Sequence, residues 1–98
     1  MLKCGTPVEI ERHNRIMVAI WAYAYEFEND SMVSDEIFDA TCRAIDTSVS
    51  TGHKILDEWF KNEFMPDTGM WIHKHPELDK VKNYYLRIKR DRKLYIKD

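Results

Sequence analysis

Four groups of residues in this 98-residue chain have types and spacings that could do chemistry. The first lies between Tyr23 and Asp39, where Tyr25, Phe38 and the acidic Glu26, Glu28, Asp30, Asp35 and Asp39 crowd into seventeen positions. Aromatic and acidic side chains gather there where two helices meet, and Asp35 and Asp39, four apart, point the same way on a helix. The second group is His73-x-His75, with His53 and Asp67 as conceivable further metal ligands; zinc sites need three or four ligands at defined spacing, so no metal is expected from a pair. The third is Cys42 with His53, a nucleophile and a base by type. Cys42 falls on an apolar stripe, which predicts a buried structural thiol and no catalytic use. The fourth is the C-terminal run, where Lys80 to Asp98 holds eight basic and two acidic side chains, interleaved with Tyr84, Tyr85 and Tyr95. Lys82, Arg87, Lys89, Arg90, Arg92 and Lys93 could track a phosphate backbone while tyrosines stack on bases. The same charges equally complement the dipole of a C-terminal helix.

The elements that must hold these groups are helices. Thr6-Pro7-Val8-Glu9 is a capping box with proline at the first helical position, and it predicts a helix over residues 7–28. Ile16, Ala19, Ile20, Tyr23, Ala24 and Phe27 recur at helical spacing along it. Ser34 caps a second helix, expected over 34–48, with Asp35 and Glu36 at the positive end of its dipole. Its apolar stripe is Ile37, Phe38, Thr41, Cys42, Ile45 and Val49. A third helix is expected over 53–64, presenting Ile55, Leu56, Trp59, Phe60 and Phe64. Pro66 and Gly69 bar a continuous helix through residues 65–75. Pro76 opens a fourth helix, expected over 76–94, with Leu78, Val81, Tyr85 and Ile88 on one face. The expectation is an all-α, single four-helix domain spanning residues 1–98.

Composition narrows the function classes. Hydrophobic residues at 44% and charged residues at 33% describe an ordinary globular chain. The net charge of −2 predicts no strong attraction of the whole chain to nucleic acid or membrane. That mean conceals a gradient: residues 1–50 carry four basic and nine acidic side chains, net −5, and residues 51–98 carry eleven and eight, net +3. Two cysteines outside any CxxC pattern, with Cys4 expected to be exposed, fit a reducing compartment. No run of apolar residues reaches membrane-spanning length and the first residues lack a signal-peptide core, so a cytoplasmic protein is expected. There is no Gly-rich phosphate loop and no Ser-His-Asp order, which gives a non-enzymatic expectation.

Tyr25-Glu26 followed by Asp35-Glu36-Ile37-Phe38-Asp39 resembles the N-terminal cofactor-recognition subdomain (domain Ia) of NAD-dependent DNA ligases. That family has Tyr-His, a short turn, then Asp-x-x-Tyr-Asp. His75-Pro76-Glu77-Leu78 echoes its His-Pro-Glu-Leu, although further downstream. The likeness covers residues 23–45 and that tetrapeptide. It implies a helical hairpin that holds the nicotinamide mononucleotide half of NAD, with Tyr25 and Phe38 as stacking rings and Asp35 and Asp39 as polar contacts. Two departures weigh against the ligand: Glu26 stands where the family has His and would repel a phosphate, and Phe38 lacks the hydroxyl donor. No Lys-x-Asp-Gly nucleophile motif is present, so the chain has no ligase chemistry. The run Asp67 to Glu77 also looks like an ending that recurs in small phage proteins.

The leading expectation is a small phage or mobile-element protein, acting in the host cytoplasm, that docks on a host or phage protein and modulates it. The surfaces expected to do so are the acidic corner, with Glu26, Glu28 and Asp30, and a Met70-Trp71-Ile72 ridge beside His73 and His75. That ridge is exposed on one reading, while on an equally weighted reading Trp71 folds back as the plug of the small core. Nicotinamide-nucleotide (NMN or NAD) binding at Tyr25, Asp35, Phe38 and Asp39 is the alternative, and nucleic-acid binding through the last helix is a third reading.

Overall fold

A computed structural model describes residues 6–95, with side chains described as far as Asp91. Among the described residues there are four α-helices, a 3-10 turn and no strand: α1 Pro7–Glu28, α2 Asp35–Ala44, α3 Lys54–Glu63, the 3-10 turn Met70–Lys74, and α4 Leu78–Tyr95. Cys4, and the side chains of Arg92 and Lys93 among the expected nucleic-acid contacts, lie outside the described residues.

The helix starts follow local chemistry. Thr6 Oγ1 accepts from the Glu9 N–H (3.2 Å) while Glu9 Oε1 accepts from the Thr6 N–H (3.1 Å), closing the capping box. Asn29 ends α1 in the left-handed conformation (φ 53°), and the Asp30 N–H reaches back to the Ala24 carbonyl (2.9 Å). Ser34 Oγ accepts from the Ile37 N–H (3.2 Å) and starts α2. His53 caps α3 through Nδ1, which accepts from the Leu56 N–H (3.3 Å). Gly52, just before it, takes φ 90°, a conformation that favours glycine.

The central helix is α1, which packs against α2, α4 and the 3-10 turn. It buries Val18, Ala19, Ile20, Ala22, Tyr23 and Ala24, nearly all of its circumference in that segment. The small alanines let its neighbours come close. α3 joins this core mainly through aromatic side chains: Phe60 lies 6.2 Å and Phe64 5.0 Å from Trp71, measured between ring centroids. Trp59 completes the group, 6.0 Å from Trp71 and 4.9 Å from His75.

Several expectations need correction. α2 ends at Ala44, not near residue 48. The Glu11 carboxylate captures the Asp46 N–H (3.0 and 3.1 Å), and Asp46 Oδ1 accepts from both the N–H and hydroxyl of Ser48, so side chains compete with the next helical turn. α4 begins at Leu78, because Pro76 and Glu77 form a turn in which His75 Nδ1 accepts from the Glu77 N–H (3.0 Å). Trp71 and Ile72 form no exposed ridge: the 3-10 turn folds them into the core, with Trp71 only 4% exposed and its indole N–H donated to the Thr68 carbonyl. Only Met70 of that trio stays in solvent. Ile16, Phe27, Ile37 and Ile55, expected to face the core, are exposed. α2 and α3 each bury one residue fully, Cys42 and Phe60, so the flanks of their stripes stay in water.

Two charged residues replace part of the expected α1 stripe. Glu11 and Arg15 are buried, one turn apart, in line with Val18 and Ala22. Arg15 donates to Glu11 Oε2 (2.6 Å), to Asp57 Oδ1 (2.8 Å), and to the carbonyls of Asp46 and Val49 (both 3.1 Å). Its guanidinium also lies 5.0 Å from the Phe60 ring centroid. Asp57 accepts in addition from the N–H and hydroxyl of Thr51. Burial pushes the Asp57 carboxyl upward, but the hydrogen bonds from Thr51 and Arg15 outweigh it and hold the group below its ordinary value. This network ties the loop over residues 45–53 and the start of α3 to α1.

Candidate functional site

The end of α1 and the start of α2 enclose a cavity of about 220 Å³. Its rings are Trp21 and Tyr25 from α1 and Phe38 from α2. Its carboxylates are Glu26, Asp35, Asp39 and, from the loop before the 3-10 turn, Asp67. The fold therefore brings together Tyr25, Glu26, Asp35, Phe38 and Asp39, all singled out from sequence. Asp35 and Asp39 reach the same cavity because four residues make about one helical turn, and Phe38 between them supplies the wall. Trp21 lies one turn before Tyr25 on the same face of α1, and Asp67 joins from a loop that no local spacing connects to the corner. The loop lies close on this wall: a Cβ at Gly69 would stand 3.5 Å from the Ala22 Cβ and 3.6 Å from Phe38 Cζ, ordinary van der Waals distances.

Tyr25 is the most accessible of the three rings, 60% exposed, with no hydrogen bond fixing it among the described residues. Glu26 is clamped from the side: its Oε1 meets His73 Nε2 at 3.0 Å. His73 in turn packs on Phe27 (4.7 Å between centroids), Phe27 on Tyr23 (4.9 Å), and Tyr23 on Tyr85 (5.5 Å). The Tyr23 hydroxyl donates to Glu28 Oε2 (3.0 Å). The Tyr85 hydroxyl donates to Asp30 Oδ2 (2.9 Å), which also meets Lys89 Nζ (3.0 Å). Burial and then the Asp30 contact push the Tyr85 hydroxyl up to about 12. Glu28 and Asp30 are thus taken up by the frame that fixes the corner to α4, whereas Asp35 and Asp39 face the cavity.

Two features of this corner bear on its electrostatics. Glu26 and Glu28 sit in the last turn of α1, which contains no basic residue. Carboxylates at that end oppose the helix dipole, at a cost of roughly 0.3–1 kcal/mol each when exposed. In addition, no basic side chain lines the cavity among the described residues. Aromatic faces and carboxylates without a resident cation make a site that attracts positive charge and repels anions.

The remaining candidate residues are dispersed. His75 does not join a surface patch with Met70. It is half-buried against Trp59 and Phe60, and burial pushes its imidazole down to about 4 although Glu77 opposes the change. Cys42 is buried, its thiol pushed up to about 11 by burial and then by Asp39. Among the described residues no three His, Cys, Asp or Glu side chains come together to hold a metal. On α4, Lys82, Arg87, Lys89 and Arg90 are all exposed. Lys89 is engaged by Asp30, and Arg87 lies 5.9 Å from the Tyr84 ring centroid. No described helix is long and apolar enough to cross a membrane.

The Glu11–Arg15–Asp57 network escapes a reading by composition, since charged residues on helices are ordinarily solvated. Its one signal is the alignment of positions 11, 15, 18 and 22 on a single face. No protein-family model, curated protein or solved structure matches the chain.

Proposed function

We propose that this chain is a non-enzymatic binding domain that docks on a protein partner through the α1–α2 corner, seating a cationic side chain of that partner between Tyr25, Trp21 and Phe38. The observation that carries this reading is the cavity ringed by three aromatic side chains and four carboxylates and lined by no cation. An arginine or lysine entering it gains ring-face contacts and carboxylate partners together. Glu26 and Glu28, placed against the α1 dipole, add to the local field that draws such a partner in. In the setting of a small phage or mobile-element protein, the partner is a host or phage protein whose activity the docking modulates.

Nicotinamide-nucleotide binding is the second reading, favoured by the coincidence of the cavity lining with Tyr25, Asp35, Phe38 and Asp39. The cavity falls short of the roughly 300–1,000 Å³ typical of drug-sized sites, so it suits a single ring better than a whole dinucleotide. A phosphate held 4 Å from one of the carboxylates would meet a repulsion of roughly 1–4 kcal/mol. Titration by two-dimensional NMR with acetyl-arginine amide, nicotinamide riboside and nicotinamide mononucleotide separates the readings. The protein-docking reading expects shifts at Tyr25, Phe38 and Asp39 with the arginine derivative. Mononucleotide binding tighter than that of the phosphate-free riboside would favour the nucleotide reading. An absence of shifts at the corner with every probe would remove both.

A further inference from the structure

We propose that a second cavity, between α1, α3 and α4, binds a small apolar carboxylate: one aromatic ring or a short alkyl chain carrying a single acid group. The cavity measures about 240 Å³, and Ile20, Leu56, Phe60 and Val81 form apolar walls. Ile16 and Tyr84 stand at its lining too, each 43% exposed, so large apolar surface is left in water where a ligand would cover it. Its volume lies just below that of drug-sized sites, which limits the ligand to about one ring or a short chain.

The charges around the cavity select the head group. Arg15 is more than neutralised by Glu11 and Asp57, two carboxylates on one guanidinium. Glu77 is shared between His53 (3.2 Å) and Lys80 (3.7 Å). Arg12 differs: among the described residues it forms no ion pair, and its Nε and Nη2 both donate to the Thr51 carbonyl. That carbonyl belongs to a buried residue, so the guanidinium is held in place while its Nη1 makes no hydrogen bond among the described residues. His75 also lines the cavity, and burial keeps it uncharged at neutral pH. An apolar interior beside one oriented, unpaired guanidinium is complementary to an apolar acid.

This site shares no lining residue with the α1–α2 corner, so the two stand or fall separately. The test is titration of the full chain with 3-phenylpropanoate and octanoate, followed by NMR, beside their neutral amides. The expected Kd for a carboxylate of this size is about 0.1–1 mM. The amides should bind about tenfold more weakly for want of one charge-assisted hydrogen bond. Shifts should map to Ile16, Leu56, Val81 and Tyr84. Arg12→Gln should weaken the carboxylates about tenfold and leave the amides unchanged. Leu56→Trp, at the half-buried wall, should block acids and amides alike, with the NMR spectrum verifying that it folds. Tyr25→Ala should change nothing. The proposal is overturned by no binding at about 10 mM, a range in which even millimolar affinity is visible. It is equally overturned by equal affinity for acids and amides, by an inert Arg12→Gln, or by shifts confined to the corner around Tyr25 and Phe38.

Discussion

Arg15→Met breaks the buried charge network that lies outside the apolar core. Arg15 is 5% exposed and holds two carboxylates, two carbonyls and a ring face at once. Methionine keeps most of the aliphatic stem beside Phe60 but leaves Glu11 and Asp57 without their cation. Breaking a buried ion pair from one side costs about 3–5 kcal/mol. Here Glu11 keeps the Asp46 N–H, and Asp57 keeps both Thr51 donors, which places the expected loss near the lower end. At about 3 kcal/mol, and about 4–8 °C per kcal/mol for a domain of this size, the unfolding midpoint should fall by about 12–24 °C. Arg15→Lys should recover only part of this, because one ammonium cannot reproduce the guanidinium fork across four acceptors. Denaturant and thermal unfolding followed by circular dichroism measure both. In the double variant Glu11→Gln, Arg15→Met, one of the stranded charges is gone, so the combined loss should be smaller than the sum of the single losses. A midpoint for Arg15→Met within about 4 °C of the parent, equivalent to less than about 1 kcal/mol, would refute the reasoning.

Other consequences are as direct. The folded state holds His75 near 4, so between there and its ordinary 6.5 the unfolded chain binds the extra proton. Stability from this residue is therefore fully present above about pH 6.5 and is lost as pH falls toward 4; the full shift would give about 3 kcal/mol, and the ring's partial exposure reduces this to about 1–2. His75→Asn should flatten the pH dependence of urea midpoints in that window, and an unchanged slope would remove His75 as its source. Cys42, buried with a raised thiol, should resist alkylation at pH 8 in the native protein and react in denaturant, read by mass spectrometry of the peptide that contains it. Native labelling at the denatured rate would contradict its burial. If exposed α4 cations serve nucleic acid, Lys82→Ala with Arg90→Ala should weaken single-stranded DNA binding at low salt and lower its salt slope by about 2; no binding by the parent protein at low salt would end that reading.

Helix starts are legible in the sequence where they depend on neighbours in the chain: Thr6 with Glu9, Ser34 with Ile37. Helix ends are less so. α2 stops where Glu11, thirty-five residues earlier, takes the Asp46 N–H, and no local window contains that information. Trp71 shows the same limit in another form. Its surroundings read as an irregular loop, yet three aromatic residues of the third helix region, Trp59, Phe60 and Phe64, provide a partner surface that draws it inward. At the corner, the Asp35–Phe38–Asp39 spacing foretells a shared face, because helical periodicity alone sets it. Trp21, one turn before Tyr25 on α1, follows from the same periodicity, whereas Asp67 reaches the cavity through tertiary packing and its part in it is visible only in the folded chain.

Docking through the α1–α2 corner is tested most directly by parallel affinity capture from host lysate with the parent protein, Tyr25→Ala, the double variant Asp35→Asn, Asp39→Asn, and a control substituted at the exposed Arg90. Each variant is first verified as folded, and the captured proteins are identified by quantitative mass spectrometry. One protein should be enriched by the parent and the Arg90 variant, and its recovery should fall about tenfold with either corner variant, the loss expected for a cation that gives up a ring face or its carboxylate partners. A protein recovered equally by the parent and by both corner variants would contradict docking through this site.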